Sequence, residues 1–65
     1  MIIRVNADDF EVDDDTTVAA LLQSLGYPER GIAVAVDQAV LPRSSWATAL
    51  SDGANIEVVT AVQGG

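Results

Sequence analysis

The chain has 65 residues, 49% of them hydrophobic; at this length folding buries only about 60% of the unfolded surface, so one small domain with a single compact core is expected and disorder is excluded. Cysteine and histidine are absent, which excludes disulfides, thiolate metal sites, a cysteine nucleophile and the commonest general base, so an independent enzyme is not expected. Ten acidic residues against three arginines give a formal charge of −7, which repels phosphate backbones and anionic lipids, so the expected partner is a protein or pocket with a basic rim, not nucleic acid or a membrane, with solubility alone as the competing reading of the charge.

The opening MIIRV is rich in β-branched residues and predicts a strand with Met1, Ile3 and Val5 on one face. It holds no basic segment leading into a long apolar run, and no stretch nears the roughly 18 apolar residues of a membrane span, so a cytoplasmic location is expected. NADD then predicts a turn, and FEV a returning strand with Phe10 and Val12 inward and Glu11 outward.

In DDDTTVAALLQSLG, Val18, Leu21, Leu22 and Leu25 recur at i, i+3, i+4 and i+7, which puts them on one face of a helix. Thr16 or Asp15 is the expected cap, Gly26 the left-handed stop, and Pro28 prevents continuation. Asp13, Asp14 and Asp15 precede the positive end of the helix dipole and are read as stabilising it, because ligands from one short run rarely enclose a metal ion.

After YPERG, IAVAV predicts a third strand with Ile32, Val34 and Val36 on a common face. DQAVLPRSSWATAL reads as a turn, a short extended piece at Val40 and Leu41, and a helical turn after Pro42 that aims Trp46 and Leu50 at the core. SDGAN leads into a last strand, IEVVTAV, whose apolar character on both faces suits a central position. Hairpin, helix, strand, irregular segment and strand form a β-grasp, or ubiquitin-like, α+β fold: a mixed sheet with one main helix across one face, spanning residues 1–65 as a single domain.

On that fold the segment after the central strand projects beyond the sheet, with residues 63–65 a flexible tail. Gly64 and Gly65 lack a Cβ, so they can thread into a narrow channel that excludes side chains. An unhindered carboxylate on Gly65, set in line with the α-phosphate of ATP in another enzyme, would form an acyl-adenylate open to a nucleophile.

Along nearly its whole length the sequence resembles the ThiS family of sulfur carriers from thiamin biosynthesis. The resembling stretches are MIIRVN, TTVAALLQSLG, IAVAVD and, most specifically, LPRSSW followed by an L-x-D-G pattern, IEVV and the glycine pair. The resemblance implies that Gly65 is adenylated by a ThiF-type adenylyltransferase related to ubiquitin-activating enzymes. It further implies conversion to a thiocarboxylate, with sulfur from a donor system such as a cysteine desulfurase, and delivery to the thiazole synthase ThiG. Gly64 and Gln63 would govern access of the tail to the activating channel. ATP and magnesium would belong to the activating partner; this chain would hold no cofactor and no metal, and would act as a monomeric co-substrate with no catalytic residue of its own. Two departures stand out: Ala54 follows the Asp-Gly pair where the family often has aspartate, and Gln63 stands where a smaller residue is frequent. The alternatives sharing the fold and the glycine pair are the small subunit of molybdopterin synthase, also a sulfur carrier, and a ubiquitin-like protein modifier.

Tyr27, Leu41, Val59 and Ala61 are the candidate residues of an apolar surface for the activating enzyme, with ordinary boundary burial as the competing reading. Trp46 is read as core packing rather than an interface anchor, and Arg43 as a partner for an acidic site or for the local acidic excess.

Overall fold

A computed structural model describes residues 1–60. Strands β1 (Ile2–Val5) and β2 (Asp8–Glu11) are followed by helix α1 (Val18–Ser24), strands β3 (Ile32–Val36) and β4 (Ala39–Leu41), a 3-10 turn (Arg43–Ser45) and strand β5 (Asn55–Thr60). The five strands form one sheet in the order β2-β1-β5-β3-β4. β5 runs parallel to β1 and antiparallel to β3, and the two flanking pairs are antiparallel hairpins. This is the α+β, β-grasp arrangement, and β5 takes the central position expected for an apolar last strand.

The core follows from the two sequence periods. Ile3 and Val5 on β1, Val34 on β3, and Ile56 and Val58 on β5 point to one side of the sheet. Val18, Leu21 and Leu22 on α1 meet them there, and Leu50 and Ala54 close the end. No polar or charged residue is buried among the described residues, so the apolar burial that drives folding carries no desolvation penalty from side chains.

Three local expectations are corrected. The first turn is the two-residue loop Asn6–Ala7, with φ of 49° and 74°, so Asp8 and Asp9 belong to β2, opposite Val5 and Arg4. Paired left-handed residues form the hairpin turn whose twist matches that of the strands. Second, the helix cap is Thr17, not Thr16 or Asp15: its side-chain oxygen accepts from Ala20 N–H at 3.1 Å. Third, no acidic residue lies in the first helical turn, so the aspartate run ends short of the dipole.

Tertiary bonds decide where α1 starts. Val18 N–H donates to Thr48 C=O at 3.3 Å and Ala19 N–H to Trp46 C=O at 2.9 Å, while Leu50 N–H donates to Thr16 C=O at 2.9 Å. With Thr17 serving Ala20, three of the orphan amides of the helix start are satisfied, two of them by the segment after the 3-10 turn. At the other end Gly26 takes φ 82° as expected, and Tyr27 N–H reaches back to Leu22 C=O at 3.0 Å.

Candidate functional site

The site expected from the sequence lies at the far end of β5. Its central residues Gly65, Gly64 and Gln63, and the surface candidate Ala61, lie outside the described residues. The strand that leads to them is held on both sides. β3 pairs with it from Val36↔Ile56 to Ile32↔Thr60. On the other edge, Arg4 N–H donates to Ala54 C=O at 2.9 Å and Asn6 N–H to Ile56 C=O at 3.0 Å. The Asn6 carboxamide then reaches Val58, accepting from its N–H at 2.9 Å and donating to its C=O at 3.1 Å.

The start of β5 is equally well tied. Asp52 accepts from Ile2 N–H at 2.9 Å, and Gly53 N–H donates to Ile2 C=O at 2.8 Å. Asp37 accepts from Asn55 N–H at 3.0 Å. Ala54 between them is only 4% exposed and packs in the core, where a carboxylate would be costly to bury. The departure at Ala54 is therefore accommodated by an apolar site, with Asp52 making the cross-strand bond.

The remaining surface candidates fall in three places. Tyr27 is half-buried against the core, its hydroxyl 3.4 Å from Asn6 Nδ2. Leu41 is half-buried too, and its C=O accepts from Trp46 Nε1 at 3.2 Å. Val59 is 64% exposed on the sheet face opposite the helix. The strand register surrounds Val59 there with residues not anticipated from the sequence: Ala33 lies beside it, and Ala35 one row on between Glu57 and Val40. Val40, at 78% exposed, is the most exposed large apolar side chain of the described residues. The alternation of IAVAV holds this signal, since turning Ile32, Val34 and Val36 inward turns Ala33 and Ala35 out.

On the helix side, a groove of 350 Å³ runs between α1 and the 3-10 turn, lined by Leu22, Gln23, Tyr27, Pro28, Arg43 and Trp46 among others. Trp46 is half-buried and packs against the core, as expected, and its exposed side forms the groove wall. The Arg43 guanidinium sits 5.7 Å from the centre of the Trp46 ring, within cation–π range. Among the described residues no group of three or more carboxylates is placed to hold a metal ion. Within the aspartate run, Asp14 lies 3.4 Å from the Met1 amino nitrogen.

Comparison with known proteins gives a consistent result. The family model described as the ThiS family matches residues 3–65. A thiazole synthase of Paramagnetospirillum magneticum is 35% identical over 66 aligned residues, which cover 100% of this chain and 20% of that protein. The chain thus spans a fifth of the length of this curated relative. The crystal structure of a thiamine biosynthesis protein (ThiS) from Geobacter metallireducens superimposes with a TM-score of 0.80 at 29% identity, covering 100% of both chains. The solution structure of a thiamine biosynthesis protein from the same organism gives a TM-score of 0.78 at 29% identity, covering 100% of this chain and 88% of the other. A match along residues 3–65 on a five-stranded sheet of this order establishes that the chain belongs to the ThiS family.

Proposed function

We propose that this chain is a sulfur carrier of thiamin biosynthesis, a protein co-substrate and not a catalyst. The carboxylate of Gly65 attacks the α-phosphate of ATP in a ThiF-type adenylyltransferase, releasing pyrophosphate and leaving an acyl-adenylate. A persulfide from a donor system such as a cysteine desulfurase displaces AMP to give an acyl disulfide, a thiol reduces its S–S bond to release the thiocarboxylate, and the thiocarboxylate gives its sulfur to thiazole synthase. ATP and magnesium are held by the activating enzyme. Gly64 admits the tail to the channel, and Gln63 sits at its mouth.

The observation that carries this reading is that the family match extends through Gly64 and Gly65, which lie four and five positions beyond Thr60, the last residue of the central strand. The thiazole synthase relative supports that enzyme as the sulfur acceptor. The uncovered sheet face, with Val59 and Val40 exposed, supplies an apolar surface for docking, and the acidic balance favours a basic rim on the partner.

The test is reconstitution with the activating enzyme, ATP and a sulfide source, followed by mass spectrometry with fragmentation. Replacement of one oxygen by sulfur at Gly65, and transfer of that sulfur to thiazole synthase, is the expected result. Unmodified Gly65 under these conditions overturns the carrier reading. Sulfur taken up by molybdopterin synthase but refused by thiazole synthase reassigns the pathway, and Gly65 joined to a lysine of another protein reassigns the chain as a modifier.

A further inference from the structure

In a parallel ladder, a residue facing its neighbour donates its N–H to one residue of the partner strand, and its C=O accepts from the residue two further on. Asn6 makes only the first bond with its backbone, from N–H to Ile56 C=O at 3.0 Å. Its main chain then enters the left-handed turn at φ 49°, and its side chain takes over. Oδ1 accepts from Val58 N–H at 2.9 Å, and Nδ2 donates to Val58 C=O at 3.1 Å. A carboxamide has the donor and acceptor of a peptide group, so Asn6 serves β5 as one more unit of strand. Val58 fixes which way the amide faces, because the flipped orientation would set donor against donor. Behind it, Nδ2 also lies 3.4 Å from the Tyr27 hydroxyl, on the segment that follows α1.

The fold does not depend on this clasp. β3 pairs with β5 as far as Thr60, and Ile56 and Val58 are locked in the core. What the clasp governs is the edge of β5 beyond the β1–β2 turn. Among the described residues, Val58 is the last residue of β5 with a hydrogen bond on the β1 side, both its N–H and its C=O being taken by the Asn6 carboxamide. Gly65 lies seven positions beyond Val58, and the carboxamide is the bond on this edge nearest to it among the described residues.

We propose that Asn6, backed by Tyr27, is a positioning residue: its carboxamide sets the direction in which the chain leaves β5 and so presents Gly65 for activation. This role rests on the sulfur-carrier reading above. Holding a reacting group in line raises the rate of the chemical step, and docking of the folded surface is a separate event. Loss of the clasp should therefore act on kcat and leave KM for the carrier largely unchanged.

The experiment uses Asn6→Gly, since glycine adopts the left-handed turn freely and removes only the carboxamide, and Tyr27→Phe, which removes only the hydroxyl. Hydrogen exchange at the Val58 amide reads the clasp directly, and ATP–pyrophosphate exchange with the activating enzyme reads its function. For Asn6→Gly, Val58 exchange should accelerate roughly tenfold, and kcat should fall roughly tenfold with KM changed less than about twofold. Tyr27→Phe should shift both readouts in the same direction by about twofold. Unchanged Val58 exchange overturns the clasp, and faster exchange with wild-type kcat reduces Asn6 to a structural residue. A rise in KM alone assigns Asn6 to the docking surface instead. A wild-type chain that supports no pyrophosphate exchange overturns the carrier reading and this role with it, whereas silent variants beside an active wild type overturn the role alone.

Discussion

Ala7 and Gln38 occupy the second position of two-residue hairpin loops, at φ of 74° and 73°, where a side chain without local hydrogen bonding crowds its own carbonyl. The first positions, Asn6 and Asp37, are residues that tolerate this conformation, but glycine is the residue these turns favour next. Ala7→Gly should therefore stabilise the protein by about 0.5–1 kcal/mol, the relief of left-handed strain exceeding the entropy glycine adds to the unfolded chain. The check is the urea midpoint at unchanged slope, and a midpoint that fails to rise would place no strain at this turn. At the other end, Gly64→Val should slow adenylation by roughly tenfold or more, since a branched Cβ must be forced into a channel shaped for glycine. Unchanged single-turnover adenylation would remove the threading argument. The residue scale is also where the sequence was least legible. NADD contains three turn-favouring residues, Asn6, Asp8 and Asp9, and only the pairing of Val5 with Asp8 determines that Asn6 and Ala7 turn while both aspartates extend.

At seven residues, α1 is too short to persist alone in water, so its stability comes from the elements around it. Its first amides are held by Thr48, Trp46 and the Thr17 side chain, and its inner face by burial of Leu21 and Leu22. Thr17→Ala should cost about 1 kcal/mol, read as a lowered melting temperature. Thr16→Ala serves as the control, because its backbone carbonyl, not its side chain, accepts from Leu50. Equal losses from the two substitutions would refute the assignment of the cap. Leu22→Ala should cost about 2–5 kcal/mol, a large share of the 3–10 or so available to a domain of this size, and circular dichroism should show a substantial unfolded fraction. The helix itself was legible because its 3.6-residue period survives in the spacing of Val18, Leu21 and Leu22. The cap was not, because Asp15, Thr16 and Thr17 are all competent caps and a segment thirty residues away selects among them. The open sheet patch escaped notice for a related reason: Val40 joins Ala33, Ala35 and Val59 only through strand register.

Over the whole molecule, charge is distributed less evenly than the net value conveys. Six of the ten acidic residues lie between positions 8 and 15, on β2 and the segment after it. Two close ion pairs among the described residues offset them: Arg4 with Asp9 at 3.1 Å, and the Met1 amino group with Asp14 at 3.4 Å. Exposed pairs of this kind contribute little, while crowded like charges favour the expanded chain, in which they separate. Salt should therefore stabilise the fold. As ionic strength rises from 0.01 to 0.15 M, the Debye length falls from about 30 to about 8 Å, screening repulsion across this edge while leaving the apolar core unaffected. The same screening should slow encounter with a basic activating enzyme. One variable thus moves two observables in opposite directions: the melting temperature should climb, and the association rate should drop. Sodium and potassium chloride should act alike, since the effect is ionic strength and not a bound ion. A melting temperature that falls with salt would mean that the two pairs outweigh the repulsion around them. An association rate indifferent to salt would instead shift the weight of recognition onto the apolar patch at Val59 and Val40.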